Sequence, residues 1–209
     1  MRQFTNTEVM HKHNDIPYLI GCGILRKEIN RLIIENNWQL HTTFLDSSLH
    51  FDFDKLHKNL TLALNKHSNQ NCTVFYGTCH PLMENILYDT KTARTKGQNC
   101  VEILLGPGLF TKELSNGAYF LLEDWALRWD YIIPKTFGTN MEVTRQIFQE
   151  DRKYLLGIRT PCSGDFTKEA EHAAQSVGLP LHWMNVDMDH LKSVLISALN
   201  LNNGQYNGR

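Results

Sequence analysis

Short apolar runs recur along the chain, each followed by a longer stretch in which apolar positions return every three or four residues. That order predicts strands alternating with helices. Residues 16–20 predict a first strand, and residues 26–36, where Ile29, Leu32, Ile33 and Ile34 cluster, predict the helix after it. Residues 40–45 predict a second strand. Residues 53–67 then carry a helical stripe of Leu56, Leu60, Leu62 and Leu64. Residues 72–76 predict a third strand, and Pro81 suits the first turn of a helix over 82–88. Between 97 and 134 the pattern is mixed: a buried run at 101–105, a short helix at 109–114 and an aromatic-rich segment at 118–129, with helix over 123–131. A helix at 141–152, a strand at 154–158, a helix at 166–177, a strand at 181–186 and a final helix at 187–199 complete the series. The alternation predicts an α/β protein of the three-layer Rossmann-like or flavodoxin-like kind, built on a mostly parallel sheet. Residues 1–200 are expected to form a single α/β domain, and the Asn- and Gly-rich residues 201–209 a flexible tail.

In open parallel sheets, ligands gather beyond the carboxyl ends of the strands, where loops converge and helix amino termini point inward. Three segments carry unusual residues to such ends: Gly21-Cys22-Gly23, the stretch from Phe44 to His50 that includes Asp46 and Ser47, and Tyr76-Gly77-Thr78-Cys79-His80-Pro81. A fourth, Gln98-Asn99-Cys100, follows the Lys96-Gly97 turn. If Cys22, Cys79 and Cys100 converge, three soft thiolates suit zinc or an iron–sulfur cluster and leave one coordination position open. His80 as a fourth ligand would close the site into a structural centre. The competing readings are plain ones: free cysteine often fills small core sites, and Asp46-Ser47-Ser48 is a natural helix cap.

Composition narrows the function classes. Of 209 residues, 21 are Lys or Arg and 22 are Asp or Glu, a net charge of −1, which gives no electrostatic basis for a nucleic-acid or membrane partner. With 42% hydrophobic and 21% charged residues the chain is an ordinary globular protein. No apolar run approaches the roughly 20 residues that span a bilayer, and the polar start Met1-Arg2-Gln3-Phe4 does not read as a signal peptide, so a cytoplasmic location is expected. Five cysteines, an odd number, then argue for thiols or ligands rather than a disulfide framework. Cys72 reads as core and Cys162 as a spare ligand or bystander. Gly21-Cys22-Gly23 lacks the third glycine of a dinucleotide fingerprint and the lysine of a phosphate loop, which excludes both. Gly106-Pro107-Gly108 reads as a tight turn. The aromatic group of Tyr119, Phe120, Trp125, Trp129 and Tyr131 reads either as core or as the lining of a pocket, and His11-Lys12-His13 as an adventitious metal contact.

The blocks from Ile20 to Glu28, Phe44 to His50, Tyr76 to Pro81 and Gly97 to Gly106, with Gly117 to Leu122 and Trp125 to Trp129, resemble a family of bacterial and archaeal proteins designated domain of unknown function 1638. The resemblance implies an association with corrinoid-dependent methyl-transfer systems, whose components become possible partners. It matches the motif positions at Cys22, Asp46, His50, Cys79, His80 and Cys100. The resulting expectation is a metal- or iron–sulfur-binding protein, and if an enzyme, one acting on a small-molecule substrate. Cys22, Cys79 and Cys100 would be its metal ligands and His80, Asp46 and His50 its proton-handling groups. The alternative is an accessory of a corrinoid methyl-transfer system that binds a small molecule in the same crevice without metal.

Overall fold

The computed structural model describes residues 16–200. The tail expected at 201–209 and the His11-Lys12-His13 segment lie outside the described residues. The first half runs β1 (Tyr18–Cys22), α1 (Arg26–Glu35), β2 (His41–Leu45), α2 (Phe53–Lys66), β3 (Cys72–Phe75), α3 (Met83–Thr90) and β4 (Ala93–Arg94). The second half runs α4 (Cys100–Leu105), α5 (Pro107–Ser115), β5 (Ala118–Leu121), α6 (Glu123–Ala126), α7 (Trp129–Phe137), α8 (Met141–Asp151), β6 (Tyr154–Arg159), α9 (Thr167–Val177), β7 (Leu181–Asn185) and α10 (Asp189–Leu199). Short 3₁₀ turns at Gly23–Leu25 and Ser47–Phe51 sit at the exits of β1 and β2.

The fold is α/β with entirely parallel pairing, but the strands divide between two sheets where one was expected. Four strands run in the order β2-β1-β3-β4 and three in the order β5-β6-β7. Periodicity reports strands and helices one at a time and cannot show where a sheet is interrupted. Here the interruption falls between β4 and β5, where two helices rather than a strand follow the two-residue β4. The run at 101–105 belongs to α4. The segment expected as one helix over 123–131 breaks at Leu127-Arg128 into α6 and α7. Gly106 makes the corner between α4 and α5 at φ +81°, a conformation open to glycine without steric cost.

Every residue of β3, and all of β1 but its first, is buried, as expected of strands covered on both faces in a three-layer arrangement. Leu19, Ile20, Val74 and Phe75 from these strands pack with Leu56 and Leu60 of α2. Leu191 and Leu195 of α10 join the same core, so the last helix returns to the first sheet. A second core gathers Leu121, Trp129, Phe148, Leu155, Phe166 and Val177 around the three-stranded sheet. The first core continues onto the second sheet through Ala118, Leu122, Leu156 and Ile158, and polar contacts flank this apolar junction. Lys27 Nζ meets the Glu123 carboxylate at 2.8 Å, Thr160 Oγ1 donates to buried Glu28 at 2.7 Å, and Arg31 donates to the Pro161 carbonyl at 2.8 Å.

The order of the first sheet fixes where a ligand can enter. From β1 the chain moves to β2, then recrosses β1 to reach β3, so its direction reverses between β1 and β3. Right-handed crossovers therefore send α1 and α2 to opposite faces, which leaves a crevice at the carboxyl ends of β1 and β3. Leu60 is fully buried on the α2 face that supports these strands. Leu60→Ala is expected to lower the free energy of unfolding by about 2–5 kcal/mol, through lost transfer energy and the cavity left behind, as measured by urea denaturation.

Candidate functional site

At the switch point, β1 ends in Cys22, in register with Leu45 of β2, and Gly21 stands opposite Phe75 of β3. The loop leaving β3 then lies directly on the segment that enters α4. Thr78 donates from its backbone N–H to the Gln98 carbonyl at 2.8 Å. A Cβ on Gly77 would lie 2.1 Å from that same carbonyl oxygen, so only glycine permits this approach. Asn99 caps α4 by accepting from the Glu102 N–H at 2.9 Å, while the Glu102 carboxylate accepts from the Gln98 N–H at 3.1 Å. These local bonds hold the Cys79 loop beside Cys100, the first residue of α4.

Cys22, Cys79 and Cys100 line one cavity of about 340 Å³. Val101, Phe110, Ala118, Phe120 and Leu122 give it an apolar wall, and His50, Tyr76, Trp125 and Arg152 also face it. The thiols are electrostatically coupled. Hydrogen bonding with Cys22, then burial, push the Cys100 thiol well above its ordinary range. Burial and the neighbouring Cys22 push Cys79 up to about 11, against a weaker opposing pull from the Gly77 backbone and Arg94. His50 is held below its ordinary value by burial, which favours the neutral imidazole, and its ring packs edge-on against Trp125 with centroids 5.0 Å apart. Two polar hydrogens in these walls have no acceptor among the described residues: the Tyr76 hydroxyl, on a residue only 1% exposed, and the Trp125 indole Nε1–H. Among the described residues no group of three or more His, Cys, Asp or Glu side chains stands in a metal-holding arrangement. The three thiols thus share a cavity without being drawn onto a common point.

The other anticipated residues are held elsewhere. His80 does not line the cavity although it follows Cys79. Its Nδ1 accepts from the Leu82 N–H at 2.9 Å, and its ring packs against Phe53 and His57 at centroid distances of 5.5 and 5.7 Å. It shapes the turn into α3, the plain alternative for a histidine in that position. Asp46 caps the 3₁₀ turn after β2, accepting from the Ser48 N–H at 2.8 Å, and pairs with Arg128 at 2.9 Å. Cys72 is buried and directs its thiol to the His67 carbonyl. Cys162 lies near Met188, away from the other thiols.

Asp46 instead lines a second, charged cleft of about 240 Å³, with Arg26, Lys27, Glu28, Glu123 and Arg128. The two spaces share Ile24, Ser47 and Leu122 as a partition. Ser47 is buried in that partition and hydrogen-bonds both Asp124 and Arg128. The contributions of Tyr76 and Arg152 to the cavity were not foreseen in the sequence. Tyr76 reads as the end of a strand. Arg152 reads as the last residue of a helix, and no local signal tells either side chain to face a space made by distant segments.

The fold and site define an α/β protein with a thiol-lined cavity at the switch point of a parallel sheet. A family model described as a protein of unknown function, DUF1638, matches residues 44–195, most of the chain, and the protein belongs to that family. The matched segment includes Cys79 and Cys100, whereas Cys22 precedes it. No curated protein and no solved structure matches the chain.

An unpartnered buried hydroxyl costs roughly 1–3 kcal/mol. Tyr76→Phe is therefore expected to leave the ligand-free protein as stable as wild type or more so in urea unfolding. Asp46 supplies a pH test. Burial tends to raise its carboxyl, but hydrogen bonds from Ser48 and Arg128 override this and lower it from 3.8 to about 2. A depressed carboxyl stabilises the fold above the unfolded value and loses that contribution as pH falls through the folded one. Between pH 3.8 and about 2 the wild type should lose more melting temperature than Asp46→Asn, by a small margin because the Asp46 side chain is 59% exposed.

Proposed function

We propose that the cavity lined by Cys22, Cys79 and Cys100 binds a thiophilic centre, zinc or an iron–sulfur cluster, beside which a small molecule is held. The carrying observation is that three cysteines from separate segments face one partly open cavity. The donor chemistry fits: thiolates are the preferred ligands of zinc and of iron–sulfur clusters. A bound cation would offset the raised cost of ionising Cys79 and Cys100, since coordination deprotonates a thiol. A nucleophilic cysteine is the weaker reading. It requires a base or cation that lowers its pKa, whereas burial and Cys22 raise Cys79 to about 11 and His80 is turned to a backbone N–H.

When bound, such a centre supplies Lewis acidity or electron transfer at a coordination position left free by three protein ligands. The chain's own groups do the rest. The apolar walls exclude water, the Tyr76 hydroxyl and Trp125 indole donate hydrogen bonds to a ligand, and neutral His50 accepts a proton. Of His80, Asp46 and His50, only His50 lines this space and is placed to handle a proton there, while Asp46 caps a turn and His80 bonds a backbone N–H. Since the thiols do not stand in a ligating arrangement, binding must draw their side chains together. That observation also favours the second reading, in which the cavity takes a small molecule without metal. In either case the proposed context is that of an accessory to a corrinoid-dependent methyl-transfer system, as the sequence resemblance implies.

Protein purified anaerobically is expected to contain zinc, or iron with sulfide, measured by elemental analysis and the electronic spectrum. Cys79→Ser should lose most of it while Cys72→Ser keeps it. Folded wild-type protein that is metal-free, and that fails to take up zinc or to be reconstituted with iron and sulfide, overturns the metal reading.

A further inference from the structure

The cavity that holds the thiols crosses from one sheet to the other. Cys22 and Cys79 lie at the carboxyl ends of β1 and β3. Tyr119 is the second residue of β5, and Arg152 lies two residues before β6, at the amino edge of the second sheet. The intervening surface is apolar, supplied by Val101, Phe110, Leu114 and Phe120. Arg152 is thus a half-buried cation in the wall of a mainly apolar space. No carboxylate among the described residues lies within ion-pair distance of it. The Glu113 carboxylate, on the neighbouring α5, accepts from the Tyr154 hydroxyl at 2.7 Å. The guanidinium of Arg152 donates from Nη1 to the Asp151 carbonyl at 3.1 Å, which leaves most of its planar donor fork free.

An arginine in such a place is suited to a planar oxyanion, which it can grip through two parallel hydrogen bonds. Resting on the reading of this cavity as the substrate site, we propose that Arg152 anchors the anionic end of the substrate, an apolar molecule ending in a carboxylate or a phosphate ester. Its body would lie along Phe110 and Phe120, with its other end at the thiols. Arg152 then selects among substrates by charge, and the thiol end carries whatever chemistry follows.

The test uses hexanoate and hexyl phosphate as anionic probes and hexanamide as the uncharged control, with binding followed by calorimetry and by tryptophan fluorescence, since Trp125 lines the cavity. Wild-type protein should bind at least one anion about tenfold or more tightly than hexanamide. Arg152→Gln should abolish that preference and leave hexanamide binding unchanged, and Arg152→Lys should restore part of it. Equal affinity for the three probes, no saturable binding of either anion, or an anion preference that survives in Arg152→Gln overturns the assignment. Metal content is measured on the same samples. Metal-loaded protein with no anion preference removes the role of Arg152 alone, whereas anion selection by protein that takes up no metal removes the metal reading alone.

Discussion

The in-register parallel pairing of β1 between β2 and β3 governs the rest of the molecule. Tyr18 starts level with both His41 and Cys72, so all three strands deliver their exits to one edge of the sheet. The spacing there is close: a Cβ on Gly21 would stand 2.6 Å from the Phe75 Cβ. Such an approach lets the β1 exit, with Cys22, lie beside the loop that leaves β3. Parallel strands need long crossovers, and when these run in opposite directions from β1 the sheet edge cannot be filled by either helix. The cavity is a consequence of topology before it is a consequence of any side chain.

Two adjacent spaces at that edge differ in their electrostatics. In the charged cleft Arg128 pairs with Asp46 and Asp124, and Lys27 with Glu123, while the Arg128 Nε–H is left without a partner among the described residues. These pairs are partly exposed and add little to stability; the apolar core shared by Ala118, Leu122, Leu156 and Ile158 with the first sheet holds the two sheets together. The thiol cavity has the opposite character. Burial and the neighbouring Cys22 raise the Cys79 and Cys100 thiols, and among the described residues the polar hydrogens on Tyr76 and Trp125 are left without acceptors. The unanswered donors are a cost that packing alone does not offset, and a ligand able to accept those hydrogen bonds would offset it. Ser47, buried in the partition, belongs to the charged network on one side while its residue borders the cavity on the other.

Much of this was legible along the chain. The stripe of Leu56, Leu60 and Leu64 marked α2, and the alternation of apolar runs with helical stripes marked an α/β fold with parallel strands. The glycine and cysteine segments at strand ends drew attention to Cys22, Cys79 and Cys100. The cap at Asp46 followed from Asp-Ser-Ser. These features are local: each depends on backbone geometry and on neighbours a few residues away, so the order of amino acids is sufficient to specify them.

Which side chains share a space is decided over long distances. That the strands separate into two sheets, that His80 turns to the Leu82 amide while His50 enters the cavity, and that Arg152 reaches a wall opposite cysteines more than fifty residues distant in the chain all depend on how complete units pack. A histidine beside a cysteine looks the same in sequence whichever way its ring points. Burial and the nearest free hydrogen-bond partner choose the direction, and both come into being only when the layers close. Local composition thus determined the elements and their order, and tertiary packing determined which of their polar groups were satisfied and which were left facing a common void.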